Sequence, residues 1–245
     1  MPDAAKSVLF DRLFPMGHEV SCHGLVLDGW AMTDAGRVHV LGTTMHAAID
    51  GHMALTLSRS LLDKVAADRA QRNPAPILMV ADTQGQALSR HEELLGLNGH
   101  FAHLARCVHW ARRNGHRLLA LVDGKAVSGG FLAFGLLADV IVALPGAEVQ
   151  VMDLRAMSRV TRLSLEQLEA LSQTSPVFAP GADNYWRMGG LHVVWQDNQD
   201  WATLLADLCR GASDGDDRRA LLGELRGGRT HAAEVGRRIL NDHAG

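Results

Sequence analysis

Apolar side chains in the first third of the chain recur at two different spacings, and each spacing predicts a different element. Residues 25–48 contain short β-branched and apolar pieces separated by three glycines, which is typical of small antiparallel strands joined by tight turns. Over residues 53–70 the apolar positions lie three and four residues apart, so we expect an amphipathic helix that ends before Pro74. Residues 1–20 hold only short apolar pieces among charged positions, and we expect them to be extended.

Two continuous apolar runs, each followed by a polar and flexible stretch, predict buried strands that end in loops. The first run covers residues 76–81 and leads into 82–86, and the second covers 117–122 and leads into 123–130. A long stretch of helical spacing, residues 92–113, separates the two runs. The order strand, helix, strand predicts a right-handed parallel crossover, which brings both loops to one edge of the sheet.

The second half of the chain continues the alternation of strands and helices, which is the rhythm of a layered α/β domain. Ser164 and Gln167 have the spacing of a capping box, in which both side chains bond to free amides at a helix start. No linker, low-complexity tract or internal repeat interrupts residues 1–245, so we expect one domain with a helical tail over 200–245. The further predicted elements are a short helix at 131–137, strands at 139–144 and 149–152, and helices at 201–210, 216–225 and 232–240.

Composition and charge exclude several classes of partner. Apolar residues make up 47% of the 245 positions and the formal net charge is -3, so the chain lacks the basic surplus that nucleic-acid binding needs. The start of the chain is not typical of a signal peptide or a membrane span, and the three cysteines are odd in number and far apart. We therefore expect a cytoplasmic protein with reduced thiols that binds neither nucleic acid nor membrane. The thirteen histidines lack the spacing of a zinc helix motif, and we expect no metal site.

The strongest local signal for chemistry is Ser128-Gly129-Gly130, which falls where a predicted strand gives way to a helix. Glycines let a ligand approach the backbone, and amides at a helix start point outward without partners, so this turn can bind an oxyanion. The alternative interpretation is a tight turn that needs glycine only for packing. The loop from Asp82 to Gln86 lies at the end of the preceding strand and can supply a second amide near the same point, which favours the functional interpretation.

The same loops resemble a known family. The segments that carry the resemblance match the gamma subunit of malonate decarboxylase, and the match is most specific after Gly124. They are residues 124–135 (GKAVSGGFLAFG), 138–139 (AD), 143–149 (ALPGAEV), 175–181 (SPVFAPG) and 189–191 (GGL). The wider pattern of Asp82-Thr83, Gly129-Gly130 and Ala138-Asp139 is similar to the carboxyltransferase subunits of acyl-CoA carboxylases, and the resemblance covers residues 24–191. At Gln84-Gly85 the chain departs from the family, where a proline followed by a small residue is usual.

The resemblance implies a fold, a reaction and a set of partners. The fold is the crotonase-like spiral, an α/β arrangement of repeated strand-strand-helix units, here with extra C-terminal helices. The reaction is the decarboxylation of a malonyl thioester to the acetyl thioester by a beta–gamma pair, as a heterodimer or heterotetramer, without biotin. No cofactor is bound by this chain, because the thioester is attached to a CoA-derived prosthetic group on a partner acyl carrier protein.

The resemblance also implies roles for individual residues. In such pairs each subunit contributes one oxyanion hole, and we expect the thioester enolate to lie in the partner's hole and the malonyl carboxylate in this one. The expected catalytic amides are those of Gly129, Gly130 and Gly85. The expected substrate-binding residues are Ser128, Gln84, Gln86 and Arg155, the last as one of four cations, with Arg90, Lys125 and Arg159, near the rim of the site.

Two other functional classes remain open at this point. The chain can be the carboxyltransferase half of a biotin-dependent carboxylase or decarboxylase, which shares the loops and differs in what accepts the carboxyl group. It can also be a scaffold subunit without chemistry of its own. A biotinylated partner in the same complex would favour the first alternative, and a partner that is fully active alone would favour the second.

Overall fold

The computed structural model describes residues 4–175, 179–211 and 217–242, and its centre is a mixed nine-stranded sheet. The strands are β1 (His18–His23), β2 (Val26–Thr33), β3 (Gly36–Thr43), β4 (Ala47–Ile49), β5 (Ile77–Gln86), β6 (Leu118–Val127), β7 (Val140–Ala143), β8 (Glu148–Gln150) and β9 (Val193–Val194). Seven of them follow the order β1-β2-β3-β5-β6-β7-β9, in which β1 to β3 form an antiparallel meander and the rest run parallel to β3. The two short strands β4 and β8 pair with the ends of β5 and β6.

Helices pack on both faces of this sheet. They are α1 (Ala4–Leu13), α2 (Gly51–Gln71), α3 (Arg90–Leu94), α4 (Leu97–Arg113), α5 (Ser128–Ala133) with a 3₁₀ turn at Gly135–Leu137, α6 (Leu154–Thr161), α7 (Leu165–Thr174), α8 (Ala182–Arg187), α9 (Trp201–Arg210), α10 (Arg219–Leu225) and α11 (Thr230–Asp242). One face carries α2, α4 and α5, and the other carries α1 and α9. The sheet is therefore covered on both sides over its central strands.

The central strands are buried on both faces, which explains their continuous apolar sequences. Along β5, Ile77 and Met79 pack into the cluster under α2 and α4, whereas Leu78 and Val80 pack into the cluster under α1 and α9. The strand β6 lies parallel to β5 with α4 between them in the chain. The predicted pair of buried strands joined by a parallel crossover is confirmed.

The N-terminal segment differs from the prediction. Residues 4–13 form α1 rather than an extended chain, while residues 1–3 lie outside the described part of the structure. Leu9, Phe10, Leu13 and Phe14 are at most 7% exposed and pack against the sheet. Their three- and four-residue spacing is that of a helix, so the prediction of an extended segment is wrong for this part of the chain.

The loop regions also contain corrections. The predicted helix 92–113 is two helices, because Gly96, with a φ of 76°, ends α3 and begins α4 in a conformation that favours glycine. The predicted loops 82–86 and 123–127 are still strand, because β4 and β8 supply hydrogen-bonding partners beyond the ends of the neighbouring long strands. These two short strands therefore hold the backbone of both candidate loops.

The elements in the second half of the chain agree more closely with those predicted from the sequence. Strands β7 and β8 and helices α5, α9, α10 and α11 lie at the expected places, and both hydrogen bonds of the capping box at Ser164 and Gln167 are present. Three predicted positions lie partly outside the described residues: Asp216 at the start of a predicted helix, 176–178 within the SPVFAPG segment, and 243–245 in the helical tail. Helices α6 and α8 had no counterpart in the prediction.

A buried histidine network ties the sheet to α2 at the edge opposite the candidate loops. His39 on β3 bonds through Nε2 to the Asp68 Oδ2 at 2.9 Å, and the Ala75 amide donates to the same oxygen at 2.9 Å. The His116 Nδ1 lies 3.8 Å from that oxygen and bonds to the Ala75 carbonyl. Burial lowers the pKa of His39, and this effect exceeds the opposing effects of its hydrogen bond and charge interaction with Asp68.

This network predicts a loss of stability in mild acid. Unfolded His39 takes up a proton near pH 6.5 while folded His39 takes one up only at lower pH, so the free energy of unfolding falls as the pH decreases below about 6.5. His39→Gln keeps a donor facing Asp68 without titrating, and its unfolding free energy is expected to fall less between about pH 7.5 and 5.5. Urea unfolding at several pH values measures this, with His52→Gln on the exposed side of α2 as the control. An unchanged pH dependence in His39→Gln would contradict the prediction.

Candidate active site

The two candidate loops touch each other at the ends of β5 and β6. A Cβ atom on Gly130 would lie 3.0 Å from the Thr83 Oγ1 and 3.1 Å from the Gly85 backbone carbon atoms. A Cβ on Gly85 would in turn lie 3.1 Å from the Ser128 Cβ. These glycines are required because the two backbones approach more closely than side chains permit. The predicted convergence of the two loops is therefore observed.

Thr83 organises the end of β5. Its Oγ1 donates to the Ala47 carbonyl at 2.6 Å and accepts the Gly85 N–H at 2.9 Å, while Gly85 adopts a φ of 105°. The Gly85 amide, predicted as a second open donor, is thus bonded inside its own loop. Gly85 shapes the site through its conformation and its missing side chain rather than through a free N–H.

The helix start at Ser128 places two glycine amides in the first turn of α5. Ser128, Gly129 and Gly130 are its first three residues, and N–H groups at these positions have no acceptor within the helix. The Gly129 N–H donates to the side-chain Oε1 of Gln86 at 3.0 Å. The predicted donor and the predicted binding residue are therefore in direct contact, and the Gly130 amide follows at the next position.

Ser128 adopts a backbone conformation that is costly for any residue with a side chain. Its φ is 52°, in the left-handed region, where a Cβ atom costs roughly 1–2 kcal/mol. Ser128→Gly is expected to raise the free energy of unfolding by up to about 1 kcal/mol, less the larger backbone entropy of glycine in the unfolded chain. Ser128→Ala keeps the Cβ and serves as the matched control in denaturant titrations. A glycine variant no more stable than the alanine variant would contradict this account.

A cavity of about 450 Å³ opens beside the turn between α4 and α5. Gln86 and Gly129 lie in its wall, together with Glu93 and Asn98 on the polar side. The apolar part of the wall is formed by Leu97, Phe101, Ala102, Ala105, Leu132 and Ala133. A largely apolar cleft that ends at a few convergent polar groups is typical of a small-molecule site.

The remaining predicted residues lie outside this cavity wall. Gln84 is exposed at the end of β5, and Arg155 is exposed on α6. The strand β8 comes just before α6 in the chain. Its last residue, Gln150, pairs with Val127, the residue that precedes the turn at Ser128. Lys125 forms a surface ion pair with Glu148 at 3.7 Å, while Arg90 and Arg159 are exposed on α3 and α6.

The opposite face of the strand ends holds a charged cluster that the sequence did not reveal. Lys6, only 5% exposed on α1, forms an ion pair with Asp123 and a second one with Asp82 at 3.5 Å. The His46 Nδ1 bonds to the Asp82 Oδ1 at 2.6 Å, and the Lys125 amide donates to the same oxygen. Burial alone would raise the pKa of Asp82, but these hydrogen bonds and the charge of Lys6 outweigh it, so its pKa lies below the usual value.

This cluster joins elements that are distant in the sequence. Asp82 is on β5, Asp123 is on β6 and Lys6 is on the N-terminal helix, so the ammonium group links the two strands that carry the candidate loops. No local motif signals the contact, since its members are separated by dozens of residues. The only available signal was the acidic residue that follows each buried apolar run.

Comparison with known proteins places this geometry in a family. The sequence model of the family described as "Malonate decarboxylase gamma subunit" matches residues 46–243. The chain belongs to the malonate decarboxylase gamma-subunit family. The region matched contains both candidate loops and the cavity, and the predicted recognition is confirmed.

The relatives of this chain include a carboxyltransferase that is named for a biotin protein and a malonate decarboxylase whose name does not mention biotin. The malonyl-S-ACP:biotin-protein carboxyltransferase MADD of Malonomonas rubra is 32% identical over 194 residues, which are 73% of this chain, and the chain spans only 66% of the length of that relative. A Pseudomonas malonate decarboxylase hetero-tetramer, solved in complex with coenzyme A, contains a chain with a TM-score of 0.77 and 27% identity. That match covers 96% of this chain and 97% of the other.

A more distant structure shows the fold alone. The transcarboxylase 12S core matches with a TM-score of 0.64 at 15% identity, over 83% of this chain and 39% of that one. Together with the malonate decarboxylase structure, this likeness confirms the predicted crotonase-like α/β fold. The short strands β4 and β8 pair with the long strands β5 and β6, and α9 to α11 are the C-terminal helices.

The described part of the chain contains neither a candidate metal cluster nor a candidate membrane span. Within residues 4–175, 179–211 and 217–242, no three or more His, Cys, Asp or Glu side chains are grouped so that they could hold a metal ion. In the same part of the chain no helix combines the length and apolar character needed to cross a membrane.

Proposed function

We propose that this chain works with a related beta subunit to remove CO2 from a malonyl thioester on an acyl carrier protein, without biotin. The observation that carries the proposal is the Gly129 turn at the start of α5, which lies in the wall of the cavity beside the Gly85 loop. Membership of the gamma-subunit family and the match to nearly the whole of a malonate decarboxylase chain support it.

The chemistry requires two oxygen-binding sites. When the bond to the carboxyl carbon breaks, CO2 leaves and its electron pair remains as an enolate on the thioester oxygen, after which a proton adds to the α-carbon. Fixed amide dipoles at that oxygen lower the barrier. We assign the enolate to the oxyanion hole of the beta subunit. The malonyl carboxylate is assigned to the amides of Gly129 and Gly130, which orient it for loss of CO2.

The other residues have supporting roles in this proposal. Gly85 and the Ser128 backbone keep the turn open, and the apolar wall of the cavity excludes water from the reacting atoms. Gln86 lies at the carboxylate position. Gln84 and Arg155, both exposed, are assigned to the rim, where an arginine can meet the phosphate of the carrier's prosthetic group.

The partners and location follow from the same assignment. The chain itself needs no cofactor, because the CoA-derived arm of the carrier protein brings the thioester to the site. The matched Pseudomonas protein is a hetero-tetramer, which supports a complex with a beta subunit, as a heterodimer or its doubled form. We place the complex in the cytoplasm.

One relative supports a second candidate function. The protein from Malonomonas rubra is named as a carboxyltransferase that acts between malonyl-S-ACP and a biotin protein. In that reaction the same two oxygen sites would serve, but the carboxyl group would pass to biotin rather than leave as CO2. The two candidates therefore share the loops and differ in the acceptor.

The test is CO2 release from malonyl-carrier protein by the purified chain, with and without its beta subunit and in the absence of biotin. Release only by the mixture supports the shared decarboxylase site. No CO2 release, together with transfer of the carboxyl group to an added biotinyl acceptor, would assign the carboxyltransferase reaction instead. Full release by the beta subunit alone would make this chain a scaffold.

A further inference from the structure

The side chain of Gln86 occupies the hydrogen-bonding position that a ligand oxygen would need. Its Oε1 accepts the Gly129 N–H at 3.0 Å, and a Cβ on Gly129 would lie 2.9 Å from Oε1, 3.4 Å from Cδ and 3.9 Å from Nε2. The carboxamide therefore lies across the glycine and covers its amide. Any carboxylate that binds this amide must first displace Gln86.

The backbone of Gln86 is fixed, whereas its side chain faces the cavity. The residue ends β5 opposite Ile49, and the Ala87 amide donates to the Ile49 carbonyl at 2.8 Å. Its half-buried side chain lines the cavity, and among the described residues its only recorded hydrogen bond is the one to Gly129. A rotation of the side chain is enough to release the Gly129 amide.

We infer that Gln86 is a specificity-determining residue that acts as an internal ligand of the Gly129 amide, so that carboxylates without a thioester arm are excluded and the tethered malonyl carboxylate is admitted. The inference rests on the proposed function, because it takes the carboxylate as the ligand of this amide. It adds to that function the expectation that free dicarboxylates and bicarbonate bind weakly at this amide.

The selection follows from competition between ligands. The carboxamide competes with any incoming carboxylate for the Gly129 N–H, so a carboxylate occupies this amide only when it displaces Gln86. A carboxylate whose thioester arm is already bound has an effective local concentration in the range of about millimolar, which favours this displacement. A charged acceptor also forms a stronger bond to an N–H than a neutral amide oxygen does. A free anion at a lower concentration also forms the stronger, charged bond, but it lacks the high local concentration that the bound thioester arm provides.

A glutamine away from the site offers a control. Gln71 is the last residue of α2 and is exposed. Gln71→Ala therefore removes an equal side chain without changing the Gly129 turn. Gln86→Ala uncovers the Gly129 amide, and Gln86→Glu replaces the internal ligand with a charged one.

The experiment is calorimetric titration of malonate into the complex of this chain with its beta subunit, beside the KM for malonyl-carrier protein. Gln86→Ala is expected to bind malonate about three- to tenfold more tightly than the wild type, which is the range of one net hydrogen bond. Gln86→Glu is expected to bind it more weakly, and Gln71→Ala is expected to match the wild type. The KM is expected to fall in Gln86→Ala by no more than the malonate affinity rises.

The outcomes separate this inference from the proposed function. Unchanged or weaker malonate binding in Gln86→Ala, with a decarboxylating wild-type complex, would overturn the inference alone. A helix-capping role would reduce stability and leave malonate affinity unchanged in both Gln86 variants, which would also overturn it. Absence of CO2 release by the wild-type complex would overturn the proposed function, and this is measured before any variant is compared.

Discussion

Gly130→Ala is expected to lower the rate of CO2 release by the beta–gamma complex by about 100-fold, the order of loss when a bound reactant is misplaced by about 1 Å. A Cβ at this position would lie 3.0 Å from the Thr83 Oγ1 and 3.1 Å from the Gly85 backbone. Since Thr83 is itself bonded to Ala47 and Gly85, the strand end cannot yield freely. The new methyl group therefore moves α5 and its amides. The turnover number with malonyl-carrier protein measures this effect.

A second glycine serves as the control for that substitution. Gly99 lies in the first turn of α4, where a Cβ would meet nothing within 4 Å. Gly99→Ala is expected to retain turnover and to raise the free energy of unfolding by up to about 1 kcal/mol, because alanine favours the helical conformation more than glycine does. A Gly130→Ala complex with wild-type turnover would remove this turn from the catalytic site. Equal losses in both variants would point to a general disturbance of the fold instead.

Lys6→Met is expected to lower the free energy of unfolding by about 3 kcal/mol, which is the lower end of the range for removing one partner of a buried ion pair. The ammonium group lies between the carboxylates of Asp82 and Asp123, and the Lys6 and Asp82 side chains are nearly fully buried. Without the cation these two negative charges are left close together at the strand ends. Urea unfolding of the isolated chain measures the loss.

Lys125→Met is the matched control for this prediction. Lys125 pairs with Glu148 at 3.7 Å, and both side chains are substantially exposed to solvent. Such surface pairs contribute about 0–1 kcal/mol, so the variant is expected to remain close to the wild type. If both lysine variants lost the same small amount of stability, the buried cluster would not link the strand ends as described.

The fold was predictable to the extent that its signals are local. The buried strands β5 and β6 follow from continuous apolar runs, and α9 follows from its spacing, because these patterns act over a few residues. The helix α1 was missed although Leu9, Phe10, Leu13 and Phe14 have helical spacing, since charged residues interrupt the pattern. The continuation of both strands through the loops was missed because it depends on β4 and β8, which are only three residues long.

The candidate site was predictable only in part, for a related reason. Glycines at a strand-to-helix junction mark the turn at Gly129 locally. The acceptor of its amide is 43 positions away, at Gln86, and the cation between the strand ends comes from Lys6. Contacts over such separations are set by tertiary packing, so no spacing in the sequence indicates them. The sequence therefore marks the turn at Gly129 but not the side chain that covers its amide.

The most direct test of the central claim is a crystal structure of the complex with its beta subunit and a malonyl thioester analogue that cannot lose CO2. The account predicts a carboxylate oxygen within about 3 Å of the Gly129 and Gly130 nitrogens, with the Gln86 side chain rotated away. A carboxylate held entirely by the partner's residues, with Gln86 still bonded to Gly129, would contradict it.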